Sequence, residues 1–308
     1  MKIVAVLLLI SILLSACLPA ASLSTPDGEI SPNVLAVETF LADIAQNVAG
    51  NRLKVESLIP VGLDPHAYEP TPQDIAKIAD SQVLIVNGAG FETWLEHILA
   101  NAGTQSRVIE AAAGLQSRKI YQGELVDESS HDQGDPHFWL DPNNVIHYVE
   151  NIRDGLTQAD PQGKDIYEKN AESYKAQLRA LDAWIATQVE QIPPERRLLV
   201  TNHESLGYFA DRYGFKIVGT LLPSVSTGAS PSAQELAQLV DHIRATGAPA
   251  IFLETGSSTQ LAVQVAQETG VKVVTELYSH SVTAPGGDAP TYIAMMKSNV
   301  NAIIAALR

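Results

Sequence analysis

The chain has a single cysteine, only 20 basic residues against 35 acidic ones, and no apolar run long enough to cross a bilayer. One cysteine excludes a disulfide within the chain, so stability must come from an apolar core, for which some 290 residues suffice. A net charge of −15 argues against nucleic acid and against a polybasic membrane surface, while permitting capture of cations. The longest apolar stretch, Ile3–Leu14, falls well short of the roughly 20 residues a spanning helix needs. Catalytic signatures are missing too. "HESLG" at His203 lacks the second histidine of H-E-x-x-H, there is no G-x-S-x-G, and Ser205 has no evident activating partner.

What the amino terminus does contain is a short basic start, Met1-Lys2, followed by that apolar run, the pattern of a secretory signal. Leu14-Ser15-Ala16-Cys17 then resembles a bacterial lipobox. It predicts a signal over 1–17 with Cys17 lipidated as the mature N-terminus, and an extracytoplasmic protein anchored to the membrane in the periplasm or at the outer cell surface. Residues 18–32, rich in Ser, Pro and Ala, read as a tether.

From Val34 onward β-branched runs alternate with segments at helical spacing. Runs at 53–59, 83–86, 198–201, 216–221, 250–253 and 271–275 are expected to be buried strands. The segments 39–48, 72–79, 91–100, 205–213, 233–245, 260–269 and 290–307 are expected to be helices, with a capping box at Ser232 and Glu235. Such alternation means α/β layers with parallel sheets. One segment breaks the rhythm: 164–191 has neither proline nor glycine, and Tyr167, Ala171, Tyr174, Leu178, Leu181 and Ile185 mark one helical face. The organisation expected is an N-terminal lobe at 33–162, a linking helix at 163–193 and a C-terminal lobe at 194–308. One large doubly wound domain with a long surface helix is the alternative.

Asp-Pro-His occurs twice, in "DPHAYEP" at Asp64 and "DPHFWLDP" at Asp135. Proline fixes φ, removes a donor and extends the residue before it, so each copy is a stiff loop presenting a histidine. His203 follows a strand by two residues and His280 lies just past another, where open α/β sheets bind ligands. Imidazoles gathered there suit Zn²⁺ and its neighbours. Glu254, closing the strand at 250–253 on the same edge, is the candidate to orient them from behind. His97, His147 and His242 fall in helical segments and receive no role; His131 sits in the acidic run "DESSHDQGD".

The lipobox, "GLDPHAYEPTPQD", "DPHFWLDP", the long mid-chain helix, "TNHESLGYFADRYG" and "APTYIAMMKSNVNAI" together resemble the zinc- and manganese-binding solute-binding lipoproteins of ABC importers, in order from about Val34 to the C-terminus. The resemblance implies two pseudo-symmetric parallel-sheet α/β lobes joined by one long rigid helix, the TroA-like helical-backbone receptor, with the metal between the lobes. It implies His66, His137 and His203 as ligands, the last being the zinc branch's residue where the manganese branch usually has glutamate. The family's fourth ligand, usually aspartate, falls at His280, and a four-histidine set is a departure. It further implies Zn²⁺ as cargo ahead of Mn²⁺, no catalysis, a monomer, and an ABC permease with its cytoplasmic ATPase as partner. The rival readings are a secreted zinc hydrolase and an adhesion or scaffold lipoprotein on the same fold.

Overall fold

The computed structural model describes residues 32–102, 106–118, 134–228 and 230–308. The expected signal, Cys17, nearly all of the tether and His131 lie outside the described residues. Among the described residues no helix is long and apolar enough to cross a membrane.

Two four-stranded sheets, each wholly parallel, are formed by the described residues. The first comprises β1 (Val34–Ala36), β2 (Val55–Ser57), β3 (Val83–Val86) and β4 (Arg107–Glu110) in the order β2-β1-β3-β4. The second comprises β5 (Leu198–Thr201), β6 (Lys216–Thr220), β7 (Ala250–Glu254) and β8 (Lys272–Leu277) in the order β6-β5-β7-β8. The two orders are the same when counted from each lobe's first strand. In each, the direction of winding reverses between the two central strands, which opens a crevice at their carboxyl ends.

The connecting helices are α1 (Thr39–Ala49), α2 (Pro72–Asp80), α3 (Thr93–Ala102), α4 (Pro142–Ala159), α5 (Lys164–Val189), α6 (Gly207–Tyr213), α7 (Ala233–Thr246), α8 (Gln260–Thr269) and α9 (Tyr292–Leu307). Helix α7 opens with the capping box expected at Ser232 and Glu235. Helix α6 starts at Gly207 rather than Ser205, because Ser205 N–H turns back to the His203 carbonyl (2.9 Å) and Glu204 N–H to that of Ser224 (3.0 Å). Strand β2 takes only Val55–Ser57 of the 53–59 run, although Leu58 and Ile59 N–H still donate to the Ala36 and Val37 carbonyls (2.8 and 3.0 Å), and β4 was not expected: as an edge strand with Val108 exposed it carries no continuous apolar run.

Strand periodicity shows how the lobes are joined. Val34, Ala36, Val83 and Ile85 from the first sheet, and Leu199, Ala250 and Phe252 from the second, belong to one apolar cluster. That cluster also takes in Tyr167, Ala171, Tyr174, Leu178, Leu181 and Ile185 of α5, and Met295, Val300 and Ile303 of α9. The alternate residues Leu35, Val37, Leu84 and Val86 face a separate cluster outside the first sheet, and Val200, Ile251 and Leu253 another outside the second. The inner faces of both sheets therefore share one core built on α5, whose 26 residues span about 39 Å. Closure about such a joint must work against close packing.

Candidate metal centre

Both Asp-Pro-His loops fold by the same local bond. Asp64 Oδ1 accepts from His66 N–H (3.0 Å), and Asp135 Oδ1 accepts from His137 N–H (2.9 Å). Short-range turns of this kind are what aspartate before a proline favours. Their surroundings differ. The first loop is held through Tyr68, whose hydroxyl donates to Asp74 Oδ2 (2.8 Å), the carboxylate that also takes Thr71 N–H and Oγ1 in the capping box of α2. Trp94 Nε1 donates to the Pro65 carbonyl (3.2 Å). The second loop is fully buried, and Tyr208 Oη donates to the Asp135 carbonyl from the opposite lobe (2.7 Å).

In the second lobe His203 is set directly by the end of β5, where Thr201 Oγ1 donates to its carbonyl (2.8 Å). His280 rides a loop pinned across the lobes. Trp139 Nε1 donates to the Ser279 carbonyl (2.7 Å), and Val282 N–H donates to Thr39 Oγ1 (3.0 Å). Gly62 N–H donates to Ser281 Oγ (2.9 Å), and Thr227 Oγ1 to Asp64 Oδ2 (2.6 Å).

These loops bring four imidazoles together. One ring nitrogen each from His66, His137, His203 and His280 lies within 4.8 Å of the others. His137, His203 and His280 are buried, and His66 is half-buried. The six separations between ring centroids all fall from 5.0 to 5.5 Å. Four points nearly equidistant from one another form a tetrahedron. His137 Nε2 stands 3.2 Å from His66 Nε2 and 3.3 Å from His203 Nε2. At Zn–N lengths of 2.0–2.1 Å a tetrahedral edge is about 3.3 Å. His280 Nε2 is buried with no hydrogen-bond partner. Phe91 walls the cluster, its ring 4.8 Å from those of His66 and Trp139.

Carboxylates hold the far sides of the rings. Asp135 Oδ1 lies 2.8 Å from His137 Nδ1, Glu254 Oε1 lies 2.8 Å from His203 Nδ1, and Glu254 Oε2 lies 3.5 Å from His280 Nδ1. Ser205 Oγ donates to Glu254 (3.0 Å), and Ser279 Oγ lies 3.1 Å from His280 Nδ1. A carboxylate on Nδ1 favours the tautomer that leaves Nε2 with a bare lone pair, as a metal ligand requires. Two such nitrogens facing at 3.3 Å repel unless a proton or a cation lies between them.

Burial lowers the pKa of His66 and His137 well below the ordinary imidazole value, and the other histidines add to the effect. Burial also lowers His280, with Glu254 opposing. His203 moves the other way: burial pushes it down, but Glu254, with Asp64 and Asp135, outweighs that and leaves it raised. Burial would raise Glu254, yet His203 and His280 hold it at about 2. Burial lifts Asp135 to about 7 against the His137 backbone bond and Arg118. Burial thus favours the neutral, ligating form of His66, His137 and His280, while the carboxylates around His203 favour its charged form, with which a metal must compete.

His97, His147 and His242 stand outside the cluster; His147 Nε2 meets the Ala113 carbonyl oxygen instead, at 2.7 Å. Asp135 and its partner Arg118 were not foreseen from the sequence, although the aspartate of the second Asp-Pro-His was there to be read.

Comparison with known proteins agrees with the fold. Residues 34–306 match the ZnuA family, described as the periplasmic component A of zinc-uptake complexes. The chain is 34% identical to the manganese-binding lipoprotein MntA of Halalkalibacterium halodurans, over 98% of this chain and 97% of that one. It is 33% identical to the iron-binding protein YfeA of Yersinia pestis, over 88% and 84%. The periplasmic zinc-binding protein TroA of Treponema pallidum superposes with a TM-score of 0.81 at 26% identity, over 90% of this chain and 99% of that one. The manganese-bound periplasmic metal-binding protein of Candidatus Liberibacter asiaticus gives 0.78 at 29%, over 90% and 100%. The fold is that of a two-lobed metal receptor. The chain belongs to the ZnuA family of metal-uptake proteins, whose members are the substrate-binding components of metal ABC importers.

Proposed function

We propose that this chain captures one Zn²⁺ between its lobes on His66, His137, His203 and His280 and delivers it to the permease of its importer. Glu254 orients two of the rings, and lipid on Cys17 keeps the receptor, a monomer, at the outer face of the membrane. The observation that carries this reading is four imidazoles with nearly equidistant ring centroids, their ligand nitrogens within 4.8 Å and two Nε2 pairs at 3.2 and 3.3 Å, with no oxygen donor among the four. Imidazole sets suit Zn²⁺, whereas Mn²⁺ prefers carboxylate, carbonyl and water. Four imidazoles also leave no open position for the water that a zinc hydrolase must activate.

A second reading, Mn²⁺ or Fe²⁺ as the physiological cargo, is favoured by the names of similar proteins: MntA is manganese-binding and YfeA iron-binding. Raw affinity cannot separate the two, because a nitrogen site binds Zn²⁺ more tightly than Mn²⁺ whatever its task. Coordination can. With Co²⁺ as probe, a four-nitrogen site gives the intense visible absorption of tetrahedral Co²⁺, and His280→Asp raises Mn²⁺ affinity relative to Zn²⁺. A weak, six-coordinate Co²⁺ spectrum together with an unchanged Zn²⁺/Mn²⁺ ratio in His280→Asp favours the second reading.

A further inference from the structure

Arg118 lies behind the cluster, on its carboxylate side, and is the cation on which both halves of the centre converge. Its side chain is 6% exposed. Nη1 stands 3.5 Å from Asp135 Oδ2 and 3.2 Å from Glu204 Oε1, and Nε donates to Asp211 Oδ2 (3.0 Å). Asp135 belongs to the first lobe and holds His137. Glu204 and Asp211 belong to the second, and Glu204 adjoins His203. The Arg118 backbone N–H also donates to Tyr208 Oη (3.0 Å), and that hydroxyl in turn donates to the Asp135 carbonyl. The sequence leaves space for this approach: a Cβ at Gly207 would come within 2.2 Å of Arg118 Nη1. A side chain there would have to displace the guanidinium.

Resting on the reading of the four histidines as a metal site, we propose that Arg118 is a positioning residue for metal capture. It fixes the rotation of the Asp135 carboxylate, so that one oxygen meets His137 while the other faces the guanidinium, and it ties that carboxylate to the segment carrying His203. A planar guanidinium can serve several carboxylates at once, which a lysine ammonium does less well. The distance between His137 and His203 Nε2, one of the edges that cross the lobes, then depends on Arg118.

Two simpler roles predict otherwise. A purely electrostatic role predicts tighter binding when Arg118 is lost, since a cation near a dication opposes it. A purely structural role lowers the melting temperature but leaves the folded protein's affinity unchanged.

The test measures Zn²⁺ affinity by competition, with the Co²⁺ absorption spectrum of saturated protein, for the parent, Arg118→Gln, Arg118→Lys, Gly207→Ala and His203→Ala. Positioning predicts at least a tenfold loss of affinity in Arg118→Gln, in the range of about 10–100-fold found for residues that orient ligands. It predicts an altered Co²⁺ spectrum and partial rescue by lysine. Gly207→Ala keeps the positive charge but displaces the guanidinium, so it must weaken binding in the same direction; it also carries the test if Arg118→Gln does not fold. Parent-like affinity and spectrum in the folded Arg118 and Gly207 variants, or tighter binding in Arg118→Gln, overturns the proposal. If His203→Ala also binds like the parent, the histidine site itself is wrong; if it alone loses Zn²⁺, only the role of Arg118 fails.

Discussion

The two lobes have the same strand order, yet the same point in each carries opposite chemistry. Two residues beyond β1 stands Glu38; two residues beyond β5 stands His203. Beside them, the turn after β3 supplies Glu92 in the first lobe, and β7 itself ends on Glu254 in the second. In the second lobe this makes an imidazole–carboxylate pair facing the other histidines. In the first it makes two buried carboxyls, Glu92 taking the N–H groups of Asn87 and Gly88 while neither oxygen of Glu38 has a hydrogen-bond partner. Burial and Glu92 push Glu38 well above the usual carboxyl range, and burial lifts Glu92 to about 7. The first lobe's own histidines come instead from the two proline-stiffened loops. Topology provides a crevice in each lobe; the residues capping the central strands decide whether it offers lone pairs to a cation or closes over buried carboxyls.

The largest effect expected from this contrast is at His203. His203→Ala should weaken Zn²⁺ binding by more than about a hundredfold, beyond the range of residues that only orient ligands. Competition titration with a chelator reads it. A loss of less than about tenfold, no more than an orienting residue would give, would mean that the crevice of the second lobe is no more a metal site than that of the first.

How much of this contrast is legible in the sequence depends on range. Strand–helix alternation, the proline- and glycine-free stretch of α5 and the histidines after strand ends are local patterns, and they are readable. Glu254 is readable because it closes an apolar run. Arg118 is not: its partners Asp135, Glu204 and Asp211 lie 17, 86 and 93 residues onward, and no periodicity links such positions. β4 escapes because an edge strand need not be continuously apolar. The burial of Glu38 cannot be read either, since a lone glutamate opening a helix is usually solvated. A carboxyl buried there becomes visible only once the sheet above it is closed.

A smaller loss should follow at Glu254. Glu254→Gln keeps the volume and one acceptor but removes the charge behind His203 and His280, and should weaken Zn²⁺ binding about 10–100-fold at about pH 8. Its pH dependence is the sharper readout. In the parent, His203 has its pKa raised by Glu254, so protons compete with metal as soon as pH falls through the histidine range, and affinity declines with acidity. Without Glu254 the pKa of His203 drops with burial. The acid-side loss of affinity in Glu254→Gln should therefore begin at lower pH than in the parent. Parallel pH profiles would show that Glu254 does not govern His203.

The smallest effect on metal is expected in the first lobe's crevice. Glu38→Gln should change Zn²⁺ affinity by less than about twofold, because the pair it breaks adjoins the fold and not the cation. Its signature is in stability. Carboxyls whose folded pKa is raised bind protons more tightly folded than unfolded, so stability falls as pH rises from the ordinary carboxyl value toward the raised one. For Glu92 that window runs from 4.5 to about 7, and its full span corresponds to about 3 kcal/mol. Glutamine at 38 removes one titrating group, the carboxyl that burial and Glu92 raise well above the ordinary value. Urea denaturation of the metal-free protein should show parent and variant close together at about pH 5, with the variant more stable at about pH 8 by about 1–3 kcal/mol. Other raised carboxyls, Asp43 at about 6 and Asp135 at about 7, remain in both proteins and cancel in the difference. A Glu38→Gln variant less stable than the parent on the alkaline side would mean that the pair is ionised and held by a cation, which would make the two crevices alike after all.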